Sequence, residues 1–105
     1  MYYLEFTVPA QKQLDSIEKS KHDPGLTKQI KKTLGYLQLN PKHPSLNTHR
    51  YDSLVNPINP KEKIFEAYVQ NKTPGAYRIF FIYGSAGKTP ARDKVITVIA
   101  ITPHP

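Results

Sequence analysis

The stretch AYRIFFIY (residues 76–83), followed after a basic loop by KVITVIAITPHP (residues 94–105), decides the fold. Both runs are rich in branched and aromatic residues, which favours β-strands, and the short connection favours an antiparallel pair. Each run also carries one residue that a strand core rarely needs, Arg78 in the first and His104 just after the second. Neighbouring strands that bring these two together would place a phosphate-binding group beside a proton donor.

The sequence before these strands predicts two more strands and two helices. Residues 2–8 and 64–70 alternate in the manner of strands, and NKTPG (residues 71–75) links the latter to the next strand. A helix is predicted from residue 9 to about residue 21. A second helix begins at the capping pair Asp23-Pro24 and ends before Asn40-Pro41. Its apolar stripe has helical spacing: Leu26, Ile30, Leu34 and Leu37.

The resulting order, β-α-α-β-β-β, predicts an α+β fold in which a helical hairpin packs on one face of a mostly antiparallel four-stranded sheet. A chain of 105 residues has the size of one domain, residues 1–105. Residues 41–63 contain four prolines and predict a long loop with a short extended piece near residues 46–54. We expect this loop either to contact phosphate through His43, His49 and Arg50 or simply to pack on the surface.

Alternation along the strands assigns the side chains to two faces of the sheet. The more apolar face is predicted to meet the helices, and its members are Phe65, Ala67, Val69, Tyr77, Ile79, Phe81, Val95, Ile99 and Ile101. The other face is predicted to be exposed and to gather Glu66, Tyr68, Arg78 and His104, with Phe80 and Ile82 beside Arg78. A structural alternative is a cross-strand ion pair of Arg78 with Glu66, with His104 as a polar chain end.

Composition restricts the classes of function. The formal net charge of +7 and a pI of about 9.7 suit a partner that is a polyanion or an acidic protein, although lysines also serve solubility alone. The absence of cysteine excludes disulfides, thiol catalysis and cysteine-based zinc sites. No apolar run is long enough to span a bilayer and none resembles a secretory signal, so we expect a cytoplasmic protein without membrane contact.

Two further features of the sequence carry less weight. Gly87-Lys88-Thr89 lacks the preceding glycine of a phosphate-binding loop and lies between two strands, so no nucleotide cofactor is predicted. Lys88 remains a candidate substrate contact at a basic hairpin tip. The four histidines lack the spacing of metal ligands, and no metal site is predicted.

The sequence resembles the RelE/ParE superfamily of small toxins from bacterial toxin–antitoxin pairs. The resemblance rests on NPKHPSL (residues 40–46) with His49-Arg50, on IFEAYV (residues 64–69), on Tyr77-Arg78-Ile79-Phe80, and on the VIAI…H ending (residues 98–104). It spans the whole chain and includes the order of the elements. It implies a concave basic sheet face and a cognate antitoxin that neutralises the toxin, with no cofactor.

The resemblance implies different activities in different branches. In the RelE branch, favoured here, the toxin cleaves mRNA in the ribosomal A site; in the ParE branch it binds DNA gyrase. A degenerate member would bind only its antitoxin. For cleavage, Arg78 would contact the scissile phosphate and His104 would protonate the leaving group.

The sequence offers two candidates for the general base of this reaction, Glu66 and His49. Some relatives supply a loop glutamate that Pro44-Ser45-Leu46 lacks, and Pro105 stands where others end in tyrosine. The predicted substrate-binding residues are His49, Arg50, Tyr68 and Lys88.

Overall fold

The structure, a computed structural model, describes residues 1–20, 23–57, 60–70, 75–84 and 94–103. The elements are β1 (Tyr3–Phe6), α1 (Val8–Lys19), α2 (Pro24–Leu39), a 3-10 turn (Pro44–Leu46), β2 (His49–Arg50), β3 (Phe65–Tyr68), β4 (Tyr77–Tyr83) and β5 (Val95–Pro103). The predicted α+β class and the order of helices and main strands are confirmed. The short strand β2 lies in the segment for which an extended piece was predicted.

Both helices begin at a side chain that caps the free backbone N–H groups of the first turn. The Thr7 hydroxyl accepts a hydrogen bond from the Ala10 N–H at 3.3 Å, and the Asp23 carboxylate accepts one from the Leu26 N–H at 3.0 Å. A proline occupies the first turn of each helix, where its missing N–H costs nothing. The helix α2 ends at Leu39, before Asn40-Pro41, as predicted.

Removal of the cap on α2 gives a first testable prediction. The Asp23→Ala variant is expected to lose about 0.5–2 kcal/mol of unfolding free energy, because the Leu26 N–H loses its acceptor. Chemical denaturation followed by circular dichroism measures this loss. Asp23→Asn retains a capping oxygen and should stay close to the parent; an equal loss in both variants would contradict the capping explanation.

The sheet has five strands in the order β1-β5-β4-β3-β2. The outer strand β1 runs parallel to β5, with Tyr3 opposite Val95, and every other pairing is antiparallel. The predicted sheet is therefore confirmed as mostly antiparallel, and β2 extends it from four strands to five. Among the described residues, no helix is long and apolar enough to cross a membrane.

The main core lies between the two helices and one face of the sheet. The predicted helix-facing residues of β3 and β4 are in it, with Ala67, Ile79 and Phe81 fully buried. On β5 the prediction was partly wrong. Its helix-facing side chains are Ile96, Val98 and Ile101, whereas Ile99 packs on the opposite side.

A β-bulge causes this difference. Phe80 pairs with Ala100 and Phe81 pairs with Val98, so Ile99 is an extra residue on β5. One extra residue reverses the side on which all earlier residues of the strand lie.

A second, smaller core covers part of the other face of the sheet. Ile64, Phe80 and Ile82 are buried there against Tyr51, and the Tyr51 and Phe80 rings meet edge-on with centroids 5.0 Å apart. The prediction that Phe80 and Ile82 are exposed was therefore wrong. The loop after β2 brings Tyr51 over them, and the Tyr51 N–H donates to the Ile64 carbonyl at 2.9 Å.

Candidate functional site

Four side chains of the candidate site come together through the register of β2, β3 and β4. His49 lies opposite Glu66, and Tyr68 lies opposite Arg78. Directly opposed residues project to the same face, and Glu66 and Tyr68 are two positions apart on one strand. His49, Glu66, Tyr68 and Arg78 therefore lie on the face away from the helices, which we call the site cluster. The predicted common face of Glu66, Tyr68 and Arg78 agrees with this register.

The predicted exposure of the charged pair was wrong. The side chain of Glu66 is 1% exposed and that of Arg78 is 8% exposed. Arg78 Nε lies 4.0 Å from Glu66 Oε2, which is close enough for strong attraction at a buried position but too long for a hydrogen bond. The two residues thus form a charge pair, as the structural alternative proposed, although one without a direct hydrogen bond between these atoms.

The Arg78 guanidinium is held in a fixed orientation. Its Nη1 donates to the carbonyl oxygens of Gln70 and Tyr77, the latter at 3.2 Å. The guanidinium carbon lies 3.8 Å from the centre of the Tyr68 ring, a cation–π distance. Buried Nε has no hydrogen-bond partner within the described part of the chain. Because carbonyls hold Nη1 and the buried Nε faces the Glu66 carboxylate, Nη2 is the nitrogen suited to bind an anion.

His49 connects the buried carboxylate to solvent. Its Nε2 lies 2.8 Å from Glu66 Oε1, its Nδ1 lies 2.8 Å from the Asn47 carbonyl oxygen, and its side chain is 43% exposed. A carbonyl only accepts hydrogen bonds, so Nδ1 carries a proton and donates it. A second proton then lies between Nε2 and Oε1. The hydrogen-bonded pair therefore joins the buried carboxylate to a position that solvent reaches.

Two residues that support the site were missed by the sequence analysis. Gln70 supplies a carbonyl to Arg78, and its side-chain oxygen also accepts from the Tyr77 N–H at 3.1 Å. Asn47 has a φ of 48°, in the left-handed region that asparagine tolerates better than most residues. This turn presents the Asn47 carbonyl to His49. An asparagine two residues before a two-residue strand is a weak sequence signal of such a turn. Nothing in the sequence around Gln70 indicated its contact with Arg78.

The structure does not bring every predicted site residue into the cluster. Arg50 follows His49 on β2 and so projects to the opposite side, where its Nη2 lies 3.1 Å from Asp52 Oδ1. The predicted catalytic residue His104 and the predicted substrate contact Lys88 lie outside the described residues. Among the residues that are described, no group of three or more histidine, aspartate or glutamate side chains is placed to hold a metal ion.

Comparison with known proteins places this geometry in a known fold. No protein-family model and no curated protein sequence matches the chain. Among solved structures, the YoeB dimer from Staphylococcus aureus is similar with a TM-score of 0.65 and 11% identity, over 99% of this chain and 98% of that one. The chain has the fold of a toxin–antitoxin toxin.

Two Helicobacter pylori toxin structures agree with this conclusion. A metal-bound toxin is similar with a TM-score of 0.59, and a copper-bound mutant toxin with a TM-score of 0.54. Each is 14% identical to this chain, over 99% of this chain and 96% of the other. The predicted resemblance to RelE-type toxins is therefore confirmed at the level of the fold.

Proposed function

We propose that this protein is the toxin of a toxin–antitoxin pair and that it cleaves mRNA on the ribosome. The observation that carries the proposal is the site cluster, in which a fixed guanidinium lies beside a histidine–carboxylate pair on a sheet of the toxin fold. The reaction would be attack of a ribose 2′-hydroxyl on the adjacent phosphate. The products would be a 2′,3′-cyclic phosphate and a free 5′-hydroxyl, and no metal ion is required.

Arg78 would stabilise the charge that grows on the phosphate oxygens during attack. Two carbonyls and the Tyr68 ring hold the guanidinium before substrate arrives, so little reorganisation is needed at the moment of reaction. Nη2, the nitrogen that faces neither a carbonyl nor Glu66, would donate to a phosphate oxygen. The nearby Glu66 carboxylate keeps the buried guanidinium partly neutralised while the site is empty.

His49 and Glu66 would act together as the general base. Glu66 is too buried to meet a ribose hydroxyl directly, whereas His49 is exposed and contacts Glu66. In the resting arrangement both ring nitrogens of His49 are hydrogen-bonded and Nδ1 carries a proton. His49 must therefore leave the Asn47 carbonyl and give the Nδ1 proton to solvent before Nδ1 can accept the proton of the ribose 2′-hydroxyl, while Nε2 donates to Glu66. This costs one hydrogen bond, about 0.5–1.5 kcal/mol. His104 stays the candidate acid that protonates the 5′-oxygen of the leaving group.

A cognate antitoxin would be the natural partner of this chain. The net charge of +7 favours an acidic antitoxin segment, and charge complementarity speeds association. The cytoplasm, where ribosomes and mRNA are found, would be the site of action. Binding to DNA gyrase without RNA cleavage is the rival activity.

A cell-free translation reaction tests the proposal. The purified protein should cleave a reporter mRNA only when ribosomes are present, and the fragments should carry 2′,3′-cyclic phosphate and 5′-hydroxyl ends. The Glu66→Gln variant, similar in shape but unable to accept the proton, should cleave about 100-fold more slowly or worse. Thermal unfolding of the variant checks that it is folded.

Two outcomes of this experiment would refute the proposal. Intact mRNA at a high excess of folded wild-type protein would rule out the nuclease. Inhibition of gyrase supercoiling in a parallel assay, without RNA cleavage, would assign the rival activity instead.

A further inference from the structure

An aromatic trench lies on the helix side of the sheet, near the C-terminal end of α2. Two adjoining cavities of about 490 Å³ and 390 Å³ form it, and both are lined by Lys42, Phe65 and Tyr83. Tyr2 and Asn40 complete one end, and Asn47 and Thr48 the other. None of the described lining residues carries a carboxylate.

The rings in the trench form a connected group. The Tyr83 ring meets Phe65 edge-on at 5.0 Å between centroids and lies 6.3 Å from the Tyr2 ring, while Tyr83 remains 38% exposed. Lys94 Nζ lies 5.8 Å from the centre of the Tyr2 ring. Burial, and then the neighbouring Tyr2, raise the pKa of the Tyr83 phenol above its usual value. The phenol therefore stays uncharged well beyond neutral pH and does not repel an anion.

The loop that forms one wall of the trench is fixed by its own hydrogen bonds. Asn40 Oδ1 accepts from the Lys42 N–H at 3.0 Å, and the Thr48 hydroxyl donates to the Pro41 carbonyl at 2.6 Å. These bonds fix the backbone at Lys42, an exposed residue of the rim. A surface that is built before its ligand arrives loses little entropy on binding.

The trench ends one residue from the site cluster. Thr48 and Phe65 line the trench, and the residues that follow them, His49 and Glu66, belong to the site cluster on the opposite face. The strand β2 between the two faces is the edge of the sheet and only two residues long. A flexible polymer in the trench therefore has to pass only this short edge to reach Arg78 and His49.

We propose that the trench binds single-stranded nucleic acid, and that it holds the segment flanking the nucleotide at the site cluster. Bases would stack on the exposed ring of Tyr83, the amides of Asn40 and Asn47 would hydrogen-bond base edges, and Lys42 would contact a phosphate. A lining of aromatic rings with no carboxylate favours nucleic acid as the ligand, because every base has a face that stacks on an aromatic ring. The link to cleavage rests on the proposed function, whereas binding does not.

Fluorescence anisotropy with a labelled single-stranded 2′-O-methyl RNA of about 12 nucleotides tests this proposal. Such RNA cannot be cleaved by 2′-hydroxyl attack, so binding is measured without the reaction. Tyr83→Ala is expected to weaken binding by about 5- to 100-fold and Tyr83→Phe to leave it nearly unchanged, because the phenyl ring still stacks. Lys42→Glu should weaken binding. It should also reduce the slope of the logarithm of affinity against the logarithm of salt concentration by about one, because one fewer counterion is released.

The matched control for charge is Lys28→Glu, an equal change at an exposed position of α2 outside the trench. The trench site would be overturned if Lys28→Glu weakened RNA binding as much as Lys42→Glu. It would also be overturned if a folded Tyr83→Ala variant bound the RNA with wild-type affinity. Tyr83-dependent binding of a labelled polyglutamate peptide, with no binding of the RNA, would also overturn it and indicate an acidic protein partner. Glu66→Gln should bind the RNA like wild type, so loss of cleavage with retained binding separates the nuclease from the trench.

Discussion

The Arg78→Ala variant is expected to lose mRNA cleavage by about 100- to 1,000-fold, the usual effect of removing one fixed donor from a developing anion. Three separate contacts, to Gln70, Tyr77 and Tyr68, set the orientation of the guanidinium. Alanine removes the Nη2 donor and the positive charge at once. The measurement is the initial rate of reporter cleavage in cell-free translation, together with growth after induced expression.

Arg78→Lys is the informative comparison for this variant. Lysine keeps the positive charge near Glu66 but lacks the planar guanidinium that the two carbonyls and the Tyr68 ring hold in place. We expect it to stay folded and to recover only a small part of the cleavage rate. Because alanine takes the positive charge of Arg78 away from the buried Glu66 carboxylate, Arg78→Ala should also lower the unfolding free energy. A folded Arg78→Ala protein that cleaves at the wild-type rate would contradict the assigned role.

The second large effect is expected at Phe80, which carries the small core on the site face. Phe80→Ala should lower the unfolding free energy by about 3–5 kcal/mol, because the side chain is fully buried and packs against Ile64, Ile82 and Tyr51. Phe80 is also the strand partner of Glu66. A cavity at this place should therefore loosen β3 and disturb the carboxylate as well as the fold. Guanidinium denaturation measures the free energy.

An exposed apolar residue nearby gives the control for this measurement. Val55 follows in the same loop as Tyr51 and is 75% exposed, so Val55→Ala should change the unfolding free energy by no more than about 0.5 kcal/mol. A loss below about 1 kcal/mol in Phe80→Ala would show that the second core contributes little in solution.

The predictions were correct where local sequence patterns determine the structure. The run quoted at residues 76–83 contains the observed strand β4, because β-branched and aromatic residues, interrupted only by Arg78, continue to Gly84. The capping aspartate and proline placed the start of α2 correctly, and the Asn-Pro pair placed its end. These signals depend on only a few neighbouring residues, which the sequence displays directly.

The predictions were wrong where contacts between residues far apart in the sequence determine the structure. The bulge that turns Ile99 away from the helices depends on how β5 matches β4, and alternation along β5 alone cannot reveal it. Burial of Phe80 depends on Tyr51 arriving from a loop with no regular pattern. The contact of His49 with Glu66 depends on the register of the two-residue strand β2, which is too short to show any period.

The central position of β5 has a consequence for when the site is completed during synthesis. Of the five strands, β1 is made first and β5 last, yet β5 lies between β1 and β4 and pairs with both. Before residues 95–103 exist, β1 has no partner in the sheet, and the strand that carries Arg78 is an unpaired edge. The sheet that carries Arg78 is thus completed only when β5 pairs with both β1 and β4, and pairing of residues as distant in the sequence as Tyr3 and Val95 makes that step a slow one.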